Sequence, residues 1–168
     1  AVAKRAKGFG VHIIAYSPSW PEKAAEELGV ELVTKEELYK RSDIITLNMR
    51  LTPDNENILD RDAFQMMEKK PVIVNVSRGQ LIDEEALLEA LDTGKVFGAG
   101  LDVLVEETDE NTKKSPFVGR EDVILTPHSA FYSDKALFEC QRIGAENLVY
   151  ILKKEKDKVF RMVNDVEL

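Results

Sequence analysis

Three short segments bring chemically capable residues to the ends of apolar runs: NVSRG at 75–79, GLDVLVEE at 100–107 and LTPHSAFYS at 125–133. They deliver Arg78, the adjacent carboxylates Glu106 and Glu107, and His128. A planar guanidinium holds a carboxylate through two parallel hydrogen bonds, which an ammonium cannot do. A histidine exchanges a proton near neutral pH, and a carboxylate beside it favours the imidazolium able to protonate a carbonyl oxygen. Reduction of a 2-keto acid by a nicotinamide needs those three groups. By spacing alone, Glu106 and Glu107 serve equally well as the partner of the histidine. Asp102 adds a fourth group: a carboxylate inside the apolar stretch AGLDV must be paired or ligand-bound. It is expected to accept a hydrogen bond from a nicotinamide carboxamide or to cap the following turn.

Other chemistries lack their residues. Two histidines and one cysteine, at no ligand spacing, give no metal site. No G-x-S-x-G occurs to present a nucleophilic serine. His12 lies in a strand with no motif around it and reads as structural.

Positioning these groups falls to an alternation of strand and helix signals, which predicts an α/β domain with a mainly parallel sheet. Strands are expected at 11–16, 30–33, 43–49, 71–76, 96–103 and 122–127. Helices are expected around 1–10, 21–29, 36–41, 60–70, 83–94 and 133–156. In the 60–70 helix, Ala63, Met66 and Met67 share a side. In the 83–94 helix, Asp83 caps, Leu87, Leu88 and Leu91 face inward, and Gly94 stops the turn. PVIVNV at 71–76 reads as a parallel strand buried on both faces, and residues 104–121 read as a loop. Ser133 caps the long last helix, and Cys140 on it reads as a small core filler. The remainder, VFRMVNDVEL, is a strand or a tail. Parallel α/β sheets bind ligands beyond the carboxyl ends of their strands. Ser17, Asn48, Ser77 with Arg78, Asp102 and His128 occupy five such ends, so they are expected to converge on one edge.

Composition narrows the class further. A chain of 168 residues holds one domain with a sizeable core, and 43% hydrophobic with 32% charged residues is the make-up of a soluble globular protein. A net charge of −8 argues against a nucleic-acid or anionic-membrane surface. No apolar run reaches the ~20 residues of a membrane span, and no secretory signal is expected at AVAKRAKGFG. A lone cysteine fits a reducing cytoplasm.

The segments AVAKRAKGFGVHIIAYSP, DIITLNMRLTPDNENIL, VIVNVSRGQLIDEEALLEAL, GKVFGAGLDVLVEE and VILTPHSAFYS together resemble the nucleotide-binding half of the D-isomer-specific 2-hydroxyacid dehydrogenases. PHSAFYSDKAL is most similar to members acting like D-lactate or 2-hydroxyisocaproate dehydrogenases. The resemblance implies a Rossmann-type doubly wound parallel sheet, with Arg78 binding substrate, His128 as acid–base and Glu107 as its partner. Glu107 is preferred over Glu106 because the acid of the family lies five residues after the aspartate of LDV. Contacts to the cofactor, NAD, are implied for Ser17, Met49, Arg50, Asn55, Val76, Ser77, Arg78 and Asp102. The implied partners are a small 2-keto or 2-hydroxy acid and a second copy of the chain in a homodimer.

Three departures stand out. Relatives carry a strand and a G-x-G-x-x-G turn before the segment that matches AVAKRAKGFG. Residues 1–168 are therefore expected to form a dinucleotide-binding domain truncated at its amino terminus, with a gap in the sheet and no substrate domain. Ser17 replaces the acidic residue that binds the adenosine ribose, which opens the site to NADP. Arg50 stands where relatives have proline. The competing readings are a corepressor-like dinucleotide sensor and an inactive fragment, and the isolated chain is expected to show no turnover.

Overall fold

The computed structural model describes residues 1–161. In chain order it contains α1 (Val2–Ala6), β1 (Ile14–Ala15), α2 (Glu22–Glu27), β2 (Glu31–Leu32), α3 (Lys35–Arg41) and β3 (Ile44–Leu47). There follow α4 (Arg61–Met66), β4 (Val72–Asn75), α5 (Glu84–Asp92), β5 (Gly98–Leu101), α6 (Asp109–Lys114), β6 (Val123–Leu125) and α7 (Asp134–Leu152). The chain folds into two compact units, Ala1–His128 and a second that begins at Ser129.

The first unit is α/β, with every strand pair parallel. β1 and β2 form a two-stranded sheet, and β3-β4-β5-β6 form a four-stranded one. A cleft of about 1020 Å³ is lined by β1 on one side and β3 on the other, with Val2, Trp20 and Tyr39 among its walls.

Burial alternates along the strands, as period-2 geometry requires. Ile45, Leu47, Ile73, Ala99, Leu101 and Val123 pack on one face against Tyr39 of α3, Ala63 and Phe64 of α4, and Leu87 and Leu91 of α5. The register Thr46–Val74–Gly100–Ile124 runs along the other face. There Ile44 and Ile124 are exposed, and Val72 and Val74 are only half-buried. The expectation that β4 is buried on both faces is therefore corrected: helices α3 to α5 all cover the same side.

Local signals explain most element boundaries. The Asp83 carboxylate accepts the Ala86 N–H at 3.1 Å and starts α5. Thr34 and Glu37 form a reciprocal capping box on α3. Residues 104–121 are not wholly loop, because Thr108 caps α6, with acids in its first turn and lysines in its last. In α4 the inward residues are Ala63 and Phe64, with Met67 just beyond, and Met66 turns outward. Leu88 of α5 is half-buried.

In the second unit, Ser133 caps α7 by accepting the Ala136 N–H at 3.1 Å, and the helix ends at Leu152, short of the expected 156. Cys140 is exposed, which corrects its reading as a core filler. Asn147 bonds both the N–H and the carbonyl of Phe160, tying the following segment to the helix. The end of the segment read as a strand or tail, 162–168, lies outside the described residues. No helix among the described residues is long and apolar enough to cross a membrane.

Candidate active site

Hydrogen bonds stitch the carboxyl ends of four adjacent strands together. Ser77 Oγ, after β4, donates to the carbonyl of Leu47 in β3 at 2.8 Å. The Asp102 N–H, after β5, donates to the Asn75 carbonyl at 2.9 Å, and the His128 N–H, after β6, donates to the Asp102 carbonyl at 2.9 Å. Each candidate residue after β4, β5 and β6 is thereby placed next to its neighbour.

Asn75 shapes the turn that presents Arg78. Its side chain is almost fully buried. Oδ1 accepts the Ser77 N–H at 3.0 Å, and Nδ2 donates to the Arg78 carbonyl at 2.9 Å. The exposed Arg78 guanidinium donates from Nη1 to the Ser77 carbonyl at 2.7 Å. Gly79 is needed where it stands: a Cβ there would lie 2.1 Å from the Leu104 carbonyl carbon and oxygen.

His128 and Glu107 meet. His128 Nδ1 lies 2.7 Å from Glu107 Oε2, and Glu107 Oε1 accepts the Leu104 N–H at 3.1 Å. Glu106 turns away and accepts from Asn111 Nδ2 at 2.6 Å. Glu107, the acid implied by the resemblance, is thus the one that meets His128. His128 sits at φ +50°, in the left-handed region. Its N–H reaches both Asp102 and Thr126 carbonyls there. Asp102 is 4% exposed, and its carboxylate accepts the Thr126 hydroxyl. That bond supplies the partner its burial demands.

The remaining sequence candidates divide between two places. Met49 and Arg50 follow β3, where Asn55 holds the turn by donating to the Arg50 carbonyl at 2.9 Å and accepting the Thr52 N–H at 2.8 Å. Val76 is exposed at the end of β4. Ser17 follows β1 and, with Asn48 and Met49, lines the cleft. The five polar strand ends therefore split: four stand along the four-stranded sheet and Ser17 belongs to the two-stranded one. His12, read as structural, is exposed and pairs with Glu31 at 2.7 Å.

Asn75 and the hydroxyl of Thr126 were not singled out from sequence. The signal for Asn75 was present: an amide inside VIVNV has to find hydrogen-bond partners once buried. No cluster of three or more metal-ligating side chains occurs among the described residues.

Residues 1–130 match the family model described as D-isomer specific 2-hydroxyacid dehydrogenase, NAD binding domain. D-3-phosphoglycerate dehydrogenase of Methanocaldococcus jannaschii is 44% identical over 165 residues, covering 97% of this chain and 31% of that protein. D-lactate dehydrogenase of Escherichia coli is 38% identical, covering 92% of this chain and 50% of that protein. Among solved structures, D-lactate dehydrogenase from Aquifex aeolicus complexed with NAD and lactic acid superposes with a TM-score of 0.86 at 27% identity, over 94% of this chain and 51% of that one. The chain spans about half of the length of these relatives, and about a third of the longest.

Proposed function

This chain belongs to the D-isomer specific 2-hydroxyacid dehydrogenase family through its NAD binding domain, and on that premise we propose that it is the nucleotide-binding half of a dehydrogenase. The enzyme would interconvert a 2-keto acid and a D-2-hydroxy acid. The observation that carries this reading is the His128–Glu107 pair, with His128 joined through Asp102 after β5 to Asn75 of β4, the strand whose end bears Arg78.

The chain fits the nicotinamide end of a dinucleotide. Val76 offers an exposed apolar surface at the end of β4, next to Ser77 and beside the β5 end that carries Asp102. When bound, the nicotinamide supplies or takes up the hydride. Arg78 binds the substrate carboxylate in a bidentate clasp and orients the carbonyl. With Nδ1 committed to Glu107, proton exchange with the substrate oxygen falls to Nε2 of His128. Glu107 holds the imidazole in that orientation. Ser17, at the end of β1, would meet the adenosine ribose; a hydroxyl there repels a 2′-phosphate less than a carboxylate does, so NADP is admitted beside NAD. Met49, Arg50 and Asn55 would line the path between the two ends. Two copies would pair, and a reducing cytoplasm suits the single thiol.

The test is His128→Ala in the complete enzyme that contains this chain. Turnover should fall by at least ~10²-fold, while dinucleotide binding persists. Near-normal turnover overturns the assignment, and dinucleotide binding without turnover in the parent enzyme favours a sensor.

A further inference from the structure

We propose that Glu84, in the first turn of α5, is a positioning residue that fixes the loop carrying Glu107 and so sets the Glu107–His128 pair. The role rests on the dehydrogenase reading above, whereas the structural brace itself does not.

Loop 102–107 leaves β5 and must return Glu107 to the strand end of β6. Three contacts from one neighbouring segment hold its middle. Glu84 Oε1 accepts the Val105 N–H at 2.7 Å. Gln80 Nε2 donates to the Val105 carbonyl at 3.3 Å. Gly79 approaches so closely that an added Cβ would lie 2.1 Å from the Leu104 carbonyl and 2.4 Å from the Val105 nitrogen. Both backbone polar groups of Val105 are thus engaged by side chains from residues 80–84. The next link is internal to the loop: the Leu104 N–H donates to Glu107 Oε1, and Glu107 Oε2 meets His128 Nδ1. Val103 anchors the near end of the loop in the core at 3% exposure.

The bond from Glu84 is the strongest of the three, because its acceptor is ionised. Its neighbours in sequence do different work. Asp83 caps α5 through the Ala86 N–H, and Glu85 is exposed. Of three consecutive acids, only the middle one reaches the loop. Glu85 therefore supplies a matched control with the same charge in the same helical turn.

Reaction geometry is sensitive to displacements of this size: a shift of about 1 Å in a supporting group can lower turnover as much as ~10²-fold. In the complete enzyme, Glu84→Ala is expected to lower kcat about 10-fold with KM changed less than about twofold. Exchange of the Val105 amide should accelerate about 10-fold, and the Nδ1 resonance of His128 should move. Glu84→Gln keeps an acceptor oxygen and should restore most of all three readouts, and Glu85→Gln should alter none. Should Glu84→Ala fail to fold, Glu84→Asp withdraws the oxygen by one methylene while keeping the charge, and the same changes are expected. Wild-type Val105 exchange and an unmoved Nδ1 resonance in both Glu84→Ala and Glu84→Asp overturn the proposal. So does a Glu85→Gln variant with the same losses as Glu84→Ala. A parent enzyme without turnover sinks the dehydrogenase reading instead, and the exchange and resonance measurements then decide the brace alone.

Discussion

At the carboxyl end of the four-stranded sheet, side-chain and backbone hydrogen bonds run continuously from Leu47 through Ser77, Asn75 and Asp102 to His128. Across the cleft, β1 and β2 pair through two residues each, α1 buries no side chain, and the links between elements include an exposed ion-pair group of His12, Glu31 and Arg41. One region stands over a cluster of buried side chains, while the other contributes few buried residues, among them Ala25 and Val30. The groups proposed for proton transfer and substrate binding stand on the first, and Ser17 stands on the second. The proposed acid–base groups therefore stand on the better supported region, and the region proposed to meet the far end of a dinucleotide has fewer internal supports.

Four substitutions test that contrast. The largest effect should come from Phe117→Ala, since Phe117 is fully buried among the residues under the four-stranded sheet. It should cost about 3–5 kcal/mol, read by urea unfolding. A loss under ~1 kcal/mol would mean this region is looser than its burial implies. Asn75→Ala follows, at about 1–3 kcal/mol, because it leaves the Ser77 N–H and the Arg78 carbonyl without their buried partner. The same variant in the complete enzyme should weaken substrate binding through Arg78, read as a raised KM.

Ile14→Ala in β1 should cost less than about 1.5 kcal/mol, since this side chain is only half-buried and lines the open cleft. A cost equal to that of Phe117→Ala would erase the distinction between the two regions. The smallest effect concerns pH. Hydrogen bonds from Arg41, then from His12, hold the Glu31 carboxyl at about 2, below its ordinary 4.5. A depressed carboxyl stabilises the fold above about 4.5, and that contribution is lost as pH falls toward about 2. Glu31→Gln should therefore melt slightly below wild type at pH 6, and the gap should close on acidification to pH 2. The gap should be small, because the pair is exposed.

The regions also differed in how openly the sequence declared them. α5 was legible because three signals coincide there: an Asp cap, inward leucines at helical spacing and a stopping glycine. The order of strand ends bearing Arg78, Asp102 and His128 was legible because parallel topology puts all those ends on one edge. In α4, six residues are too few for periodicity to separate Phe64 from Met66 as the inward side chain. β4 read as doubly buried because an apolar run records the residue types and not which face the helices cover. The exposure of Cys140 escaped for a related reason: an apolar stripe on α7 does not say what stands against it. Without the resemblance, which selected Glu107, Glu106 and Glu107 were inseparable, since their fates depend on the loop path. That path is set by Gly79 and Glu84, more than twenty positions earlier in the chain.

The left-handed backbone of His128 has a consequence for how this position would fare under selection. An L-residue with a side chain pays roughly 1 kcal/mol for that conformation, and glycine adopts it freely. Asparagine also tolerates it better than most. Selection for heat resistance alone would accept glycine or asparagine at 128. On the acid–base role proposed for His128, selection for turnover would keep the histidine there.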